Sequence, residues 1–259
     1  MHMTTQMQRA FTAVRILQEL MADKVDIQQR LNLFPRSMEI VVLYGLEIPI
    51  IKIHNLTLGA ATEYLCILYD ENSYRRNIVD RPLYGLLHVG TPSNLIFIEK
   101  NLPAHISNYI LSHELGHFLA DIFSVQRLWL KTLPEQREAI LRAFMWQELD
   151  AQLELSILIK GLPPRPHAIV RRDSARTTDT IEREIQADLI ARELLAPWDV
   201  VASLFEVTGR RELLTILYQR FGLPRRIAWY YVRDLQRCLS PGPDMLDRLF
   251  APLLPLTED

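Results

Sequence analysis

Apolar side chains recur at intervals of three and four residues near the start of the chain, and this spacing predicts helices. Phe11, Val14 and Leu17 lie at such positions within residues 4–22, which are expected to form one helix. A second, shorter helix is expected over residues 26–33. The chain is therefore predicted to begin with two helices.

The pattern then changes to short apolar runs that are bounded by turn residues, which is typical of strands. Four runs are expected to form strands: 47–53, 63–69, 83–89 and 95–98. Residues 38–44 are compatible with either a helix or a strand, and the polar residues 70–80 predict a loop. Together the strands predict a small antiparallel sheet.

Helical spacing returns after residue 104 and continues almost to the end of the chain. The expected helices are 105–130, 134–160, 181–196, 198–207, 211–221 and 225–238. A loop rich in Pro and Arg is expected over 161–179, and a Pro-rich surface tail over 240–259. The pattern predicts an α+β protein that is mainly helical, with a C-terminal region shaped like a helix-turn-helix unit.

The helix over 105–130 contains the pattern H-E-x-x-H, formed by His113, Glu114 and His117. Residues four apart lie on one face of a helix, so the two histidines can bind one metal ion together. Two imidazoles suit Zn²⁺, and a carboxylate beside them can accept a proton from water. This pattern is typical of zinc peptidases, with Glu114 as the catalytic base.

A catalytic zinc ion takes a third protein ligand. The best candidate is Glu184 in the helix 181–196, and Asp188 lies four residues later on the same face, where it can orient a ligand histidine. Glu182 and Glu193 on the same helix are competing candidates for the third ligand. Mn²⁺ is a further possibility for the metal, because imidazole and carboxylate ligands accept several ions.

These two patterns resemble the ImmA/IrrE family of metallo-endopeptidases. The first is His113-Glu114-Leu115-Gly116-His117, and the second is matched by Glu184, Ala187, Asp188, Ala191, Glu193, Leu194, Leu195 and Pro197. The stretch 94–102 resembles the strand and link before the family's first motif, so the resemblance covers about residues 40–200. It implies a zincin-like fold of the gluzincin-like type and a zinc endopeptidase that cleaves a specific protein. That substrate is often a helix-turn-helix transcriptional repressor in a stress response.

The chain departs from the family pattern at Ile190 and Ala196, where Phe and Met are common. The segment between His117 and Glu184 is also longer than in a minimal member. We therefore expect a metallopeptidase domain over 1–200 with a helical insertion at about 130–180, followed by a C-terminal helical region and tail over 201–259. The insertion affects the expected substrate choice more than the expected metal site.

Composition indicates a globular protein inside the cell. The chain has 259 residues, of which 49% are hydrophobic and 23% are charged, and its net charge is −2. This charge argues against wholesale binding to nucleic acid or membranes. Cys66 and Cys238 match no zinc or redox spacing, which favours two isolated thiols in a reducing compartment, and residues 1–15 lack the apolar core of a signal peptide. With no membrane-spanning run, a cytoplasmic location is expected.

Four other interpretations stay open at this point. The arginines of 209–238 favour DNA binding by a non-enzymatic regulator, although Trp229 to Val232 are more typical of packing. A stress-sensing scaffold that holds metal without cleaving is another possibility. His167 is a candidate for stabilising an oxyanion, but a lone histidine in a loop is far more often only solvated. Strand 95–98 or its neighbour is a candidate for binding substrate at a sheet edge.

Overall fold

The computed structural model describes residues 5–69, 80–89, 94–132, 135 and 178–239. Its helices are α1 (Thr5–Leu20), α2 (Val25–Leu31), α3 (Met38–Ile40), α4 (Leu58–Tyr69), α5 (Ala104–His117), α6 (Ser124–Thr132), α7 (Thr178–Leu195), α8 (Trp198–Val207), α9 (Arg210–Gln219) and α10 (Arg225–Leu239). Its strands are β1 (Ile50–Ile53), β2 (Gly85–His88) and β3 (Leu95–Glu99). Two π-helical turns extend α3 over Val41–Gly45 and join α5 to α6 over Phe118–Phe123. The structure is mainly helical, as the sequence predicts.

One predicted element is wrong in type, because residues 63–69 belong to helix α4 and not to a strand. The helix begins earlier, at Leu58, and its buried residues are Leu58, Ala61, Thr62, Leu65 and Cys66. This is helical spacing, and it becomes visible only when the whole segment from residue 57 onward is considered. The Thr57 hydroxyl accepts the Ala60 N–H at 3.1 Å, which helps to start the helix.

The sheet is mixed, so the prediction of an antiparallel sheet is wrong for one of its strand pairs. β3 lies in the middle, with β1 parallel to it (Ile50 beside Ile96) and β2 antiparallel to it (Leu86 beside Phe97). The connection from β1 to β3 includes α4 and β2, which is long enough for the crossover that parallel strands require. β3 therefore has neighbours on both sides, so among the described strands the outer edges of the sheet belong to its two neighbours, β1 and β2.

The two faces of the sheet pack against different helices. Leu87, Ile96 and Ile98 belong to the large core that contains α5, whereas Leu86 and Phe97 belong to a smaller core that contains residues of α4. Alternate residues of a strand point to opposite faces, so this division follows from the strand geometry. The sheet is thus held between α4 and the helices around α5.

The large core joins the N-terminal and C-terminal helices. It extends from Met7 in α1 through Leu115 in α5 and Leu194 in α7 to Leu235 in α10. The C-terminal helices therefore pack on the same core as the helices that carry the two motifs. The expected domain boundary at residue 200 stays a prediction.

Several predictions concern residues that lie outside the described parts of the chain. They include most of the loop 70–80, the predicted helix 134–160 apart from residue 135, His167 with most of its loop, and the tail 240–259. Among the described helices, none combines the length and the apolar character needed to cross a membrane.

Candidate metal centre

Close packing of α5 on α7 brings the two sequence motifs together. Gly116 lies against α7, and a β-carbon at this position would come within 2.8 Å of the Ala187 carbonyl oxygen. A larger residue would therefore separate the helices. Gly116 lies between the two motif histidines, and Ala187 lies between Glu184 and Asp188 in sequence. The small pair thus determines how near the acidic residues of α7 come to the histidines of α5.

Three donor groups converge at this contact. The Nε2 atoms of His113 and His117 lie 3.2 Å apart. Glu184 places Oε2 3.4 Å from the His113 Nε2 and Oε1 3.5 Å from the His117 Nε2. Tetrahedral coordination with bonds of about 2.0–2.1 Å places donor atoms about 3.3–3.4 Å apart. The buried imidazoles and the partly buried carboxylate can therefore hold a metal ion.

The other nitrogen of each imidazole contacts a carboxylate. His113 Nδ1 lies 2.8 Å from Asp188 Oδ1, which also accepts a hydrogen bond of 2.8 Å from the Tyr109 hydroxyl. His117 Nδ1 lies 3.3 Å from Asp121 Oδ2. An Nδ1–H that donates to a carboxylate leaves the Nε2 lone pair available to a metal. Both rings are therefore oriented with Nε2 toward the same point.

The electrostatics of the site favour positive charge. Burial alone would lower the pKa of His113, but hydrogen bonds to Asp188 and Glu184 and the charge of Glu114 raise that pKa to about 10. Burial likewise opposes the charging of His117, whereas its contacts with Asp121 and Glu184 raise its pKa to about 9. Carboxylates thus surround the two imidazoles, and a metal cation would satisfy the same field.

Glu114 is buried beside the histidines, with an exposed fraction of 8%. Its Oε2 accepts the backbone N–H of Leu87 in β2 at 3.0 Å. A β-carbon on Gly85 would lie 3.0 Å from Glu114 Oε1 and 2.4 Å from the Ile110 side chain, so glycine leaves room for the carboxylate. The position of Glu114 is therefore fixed by its own helix, α5, and by the contact of its carboxylate with strand β2.

The structure separates Glu184 from its two competitors on α7. Glu182 is exposed, and Glu193 accepts the backbone N–H of Trp198 at 2.9 Å, at the start of α8. Neither belongs to the cluster of possible metal ligands found in the described residues. His113, His117, Glu184 and Asp188, by contrast, lie together at the contact between α5 and α7, and Glu114 lies beside them against β2.

Sequence reasoning missed four contributors to this site. Asp121 follows His117 by four residues, and that spacing could have identified it as a partner of the histidine. Nothing in the sequence distinguishes Tyr109 from an ordinary aromatic residue of the helix. Gly85 and the Leu87 N–H gave no signal, because their part depends on the position of β2 beside α5.

The C-terminal helices present a different arrangement of charge. The guanidinium of Arg225 lies 5.1 Å from the ring centre of Tyr218, and that of Arg226 lies 5.6 Å from Tyr230. Arg233 lies 5.3 Å from the Trp229 ring and 5.0 Å from the Tyr230 ring. These stacked contacts, together with the buried Tyr231, Val232 and Leu235, indicate that α10 packs on the rest of the protein.

Comparisons with models of protein families, with curated proteins and with solved structures found no match to this chain. The interpretation of the site therefore rests on its own geometry and on the sequence motifs.

Proposed function

We propose that this protein is a zinc-dependent endopeptidase that hydrolyses a peptide bond in a specific protein of the cytoplasm. One observation carries the proposal: the donor atoms of His113, His117 and Glu184 converge at tetrahedral spacing beside the buried carboxylate of Glu114. Two imidazoles and one carboxylate are the protein ligands of several catalytic zinc sites. Both cysteines are free thiols, which is consistent with a reducing compartment.

Zinc suits this donor set, and manganese is the alternative. When bound, zinc supplies a Lewis acid that makes water more acidic and polarises a carbonyl group. The contribution of the chain is to hold the donors in place. Asp188 and Asp121 orient the two imidazoles, and the Gly116 contact keeps Glu184 within reach of both.

Glu114 is the proposed catalytic base. Its Oε2 is occupied by the Leu87 N–H, so Oε1 is the oxygen that receives the proton of the attacking water. The same carboxylate then returns this proton to the nitrogen of the leaving amine. Its position is constrained from two sides, by α5 and by β2, which reduces the reorganisation needed at the moment of reaction.

The outer edge of β2 is the proposed position for the substrate backbone. Tyr84 O accepts the Glu99 N–H, and in an antiparallel pair the hydrogen-bonded positions alternate. Leu86 and His88 therefore direct their backbone groups toward β3, whereas Gly85 and Leu87 direct theirs outward. The Leu87 N–H is already donated to Glu114, so an extended peptide would pair with the outward groups of Gly85 and the Leu87 carbonyl, next to Glu114. By the family resemblance, the natural substrate is a helix-turn-helix repressor.

The test compares wild type with Glu114→Gln on a library of unfolded peptides, with new N-termini detected by mass spectrometry. Both proteins should hold the same amount of zinc, because Glu114 is not among the ligands. Cleavage by the variant should fall by about 10²–10⁴-fold, the usual contribution of general acid–base catalysis. Glu182→Gln, an exposed change on α7, is the matched control and should cleave normally. Undiminished cleavage by zinc-loaded Glu114→Gln would refute the mechanism.

A regulator that holds metal without cleaving is distinguished by the same variant. If the protein acts only as a scaffold or through DNA, Glu114→Gln should support normal function in the cell. If it acts as an endopeptidase, this variant should behave like a deletion while its zinc content remains normal.

A further inference from the structure

A cavity of about 280 Å³ lies between α1, α7, α8 and α10. Helix α7, which forms part of its wall, also carries Glu184. Its lining is mostly apolar and includes Met7, Phe11, Leu189, Trp198 and Tyr231. The volume lies just below the range of about 300–1,000 Å³ that is typical of small-molecule sites. It therefore fits a small organic molecule and is too small for a folded segment of a protein partner.

Some charged groups of the cavity lining form an ion pair with each other, whereas Glu193 does not. Arg192 and Asp234 form an ion pair at 2.8 Å, and the guanidinium of Arg192 lies 5.7 Å from the Tyr231 ring. Arg237 is exposed at the end of α10. Glu193 accepts the Trp198 N–H and forms no ion pair within the described parts of the chain, because Arg36, whose charge acts on it, donates to the Leu31 and Leu194 carbonyls instead. An incoming cation would therefore find its partner in Glu193.

The environment of Glu193 supports the same conclusion. Burial raises its pKa to about 7, although the Trp198 N–H and the charge of Arg36 act in the opposite direction. A partly desolvated carboxylate gains from a positive charge placed beside it. An aromatic body would meanwhile bury apolar surface against Phe11, Leu189 and Trp198.

We propose that this cavity binds a small arylalkylamine, with its ring among the apolar residues and its ammonium group paired with Glu193. The site is separate from the metal centre, since Glu184 and Asp188 lie on a different face of α7. Both sites nevertheless include residues of α7. The binding itself does not depend on the proposed peptidase activity.

The probe is tryptamine, and indole-3-propionate is the matched anion with the same ring and a chain of similar length. Isothermal titration calorimetry on the full chain at pH 8 should show saturable 1:1 binding of tryptamine. Its affinity should exceed that of indole-3-propionate by at least about tenfold, because the lining offers an acceptor for the cation. Saturable binding of the anion that equals or exceeds that of the amine would overturn the proposal, as would the absence of saturable binding.

Variants localise the binding. Glu193→Gln should weaken tryptamine binding at least about tenfold and remove the preference for the amine, whereas the exposed Glu182→Gln should change neither. Leu189→Trp should block the cavity and abolish binding, and it decides the question if Glu193→Gln does not fold. Retained binding in a folded Leu189→Trp protein would overturn the proposal. Glu184→Ala should bind tryptamine normally, and loss of binding there would assign the ligand to the metal centre instead.

Discussion

The candidate metal centre and the C-terminal helix pair both contain many ionisable side chains, but these converge on one point in the first and are spread over the helices in the second. In the candidate metal centre, donors from α5 and α7 converge on one point, although His117 and Glu184 are 67 positions apart in the sequence. In α9 and α10, the arginines are spread along the helices, and Arg226 and Arg233 stack on rings of their own helix. Convergence of donors thus distinguishes a binding site better than an abundance of charge.

The physical reason is the cost of burying polar groups. Two imidazoles and several carboxylates in a buried place are unfavourable unless a proton or a metal compensates them. A stacked arginine keeps part of its guanidinium in water and gains a cation–π contact of about 0.5–1 kcal/mol. The first arrangement calls for a ligand, whereas the second is already satisfied within the protein.

The largest expected effect comes from Glu184→Ala, which removes one of the three donors. Elemental analysis should find about one zinc ion per wild-type chain and little or none in the variant, because two imidazoles alone rarely hold zinc. The matched control is Glu182→Ala, which changes an exposed carboxylate on the same helix and should retain zinc. Equal zinc content in wild type and Glu184→Ala would move the third ligand elsewhere.

Asp188→Asn should have the next largest effect, since it weakens the orientation of His113 without removing a donor. Such a change typically lowers metal affinity about 10–100-fold. Asp121→Asn should have a smaller effect, because its contact with His117 is longer, 3.3 Å against 2.8 Å. Competition with a zinc chelator measures both, and a larger effect of Asp121→Asn would contradict the order.

Gly116→Ala tests the close contact that brings the two motifs together. The added methyl group would meet backbone atoms of Ala187, which cannot move aside, so the free energy of unfolding should fall by about 1–3 kcal/mol. The matched control is Gly209→Ala, where a β-carbon would meet nothing within 4 Å. Urea denaturation measures both variants, and equal stabilities would mean that α5 and α7 can separate without cost.

The smallest effect is expected in the C-terminal helix pair. Arg233→Ala should lower the free energy of unfolding by about 0.5–2 kcal/mol through loss of its contacts with Trp229 and Tyr230.

Gel-shift assays at low salt should show no DNA binding. A salt-dependent shift that Arg225→Ala and Arg226→Ala abolish would instead establish α10 as a DNA-binding surface.

The pattern of apolar and polar residues within short segments was enough to locate most of the helices and, closely, two of the three strands. It also placed the candidate ligands on their helices. Helical periodicity and a spacing of four residues are local properties, so they could be read without knowledge of the rest of the chain. The prediction of a strand over 63–69 is wrong because the helical repeat begins at Leu58, and residues 63–69 alone contain too little of it to be recognised.

Only the folded chain decided the features that depend on distant contacts. The mixed sheet requires a crossover between β1 and β3, and the hydrogen bond from Leu87 to Glu114 requires β2 to lie beside α5. The choice of Glu184 over Glu182 and Glu193 depends on which face of α7 meets Gly116. Local sequence specifies which side chains share a face, but the packing of one element on another specifies which faces meet.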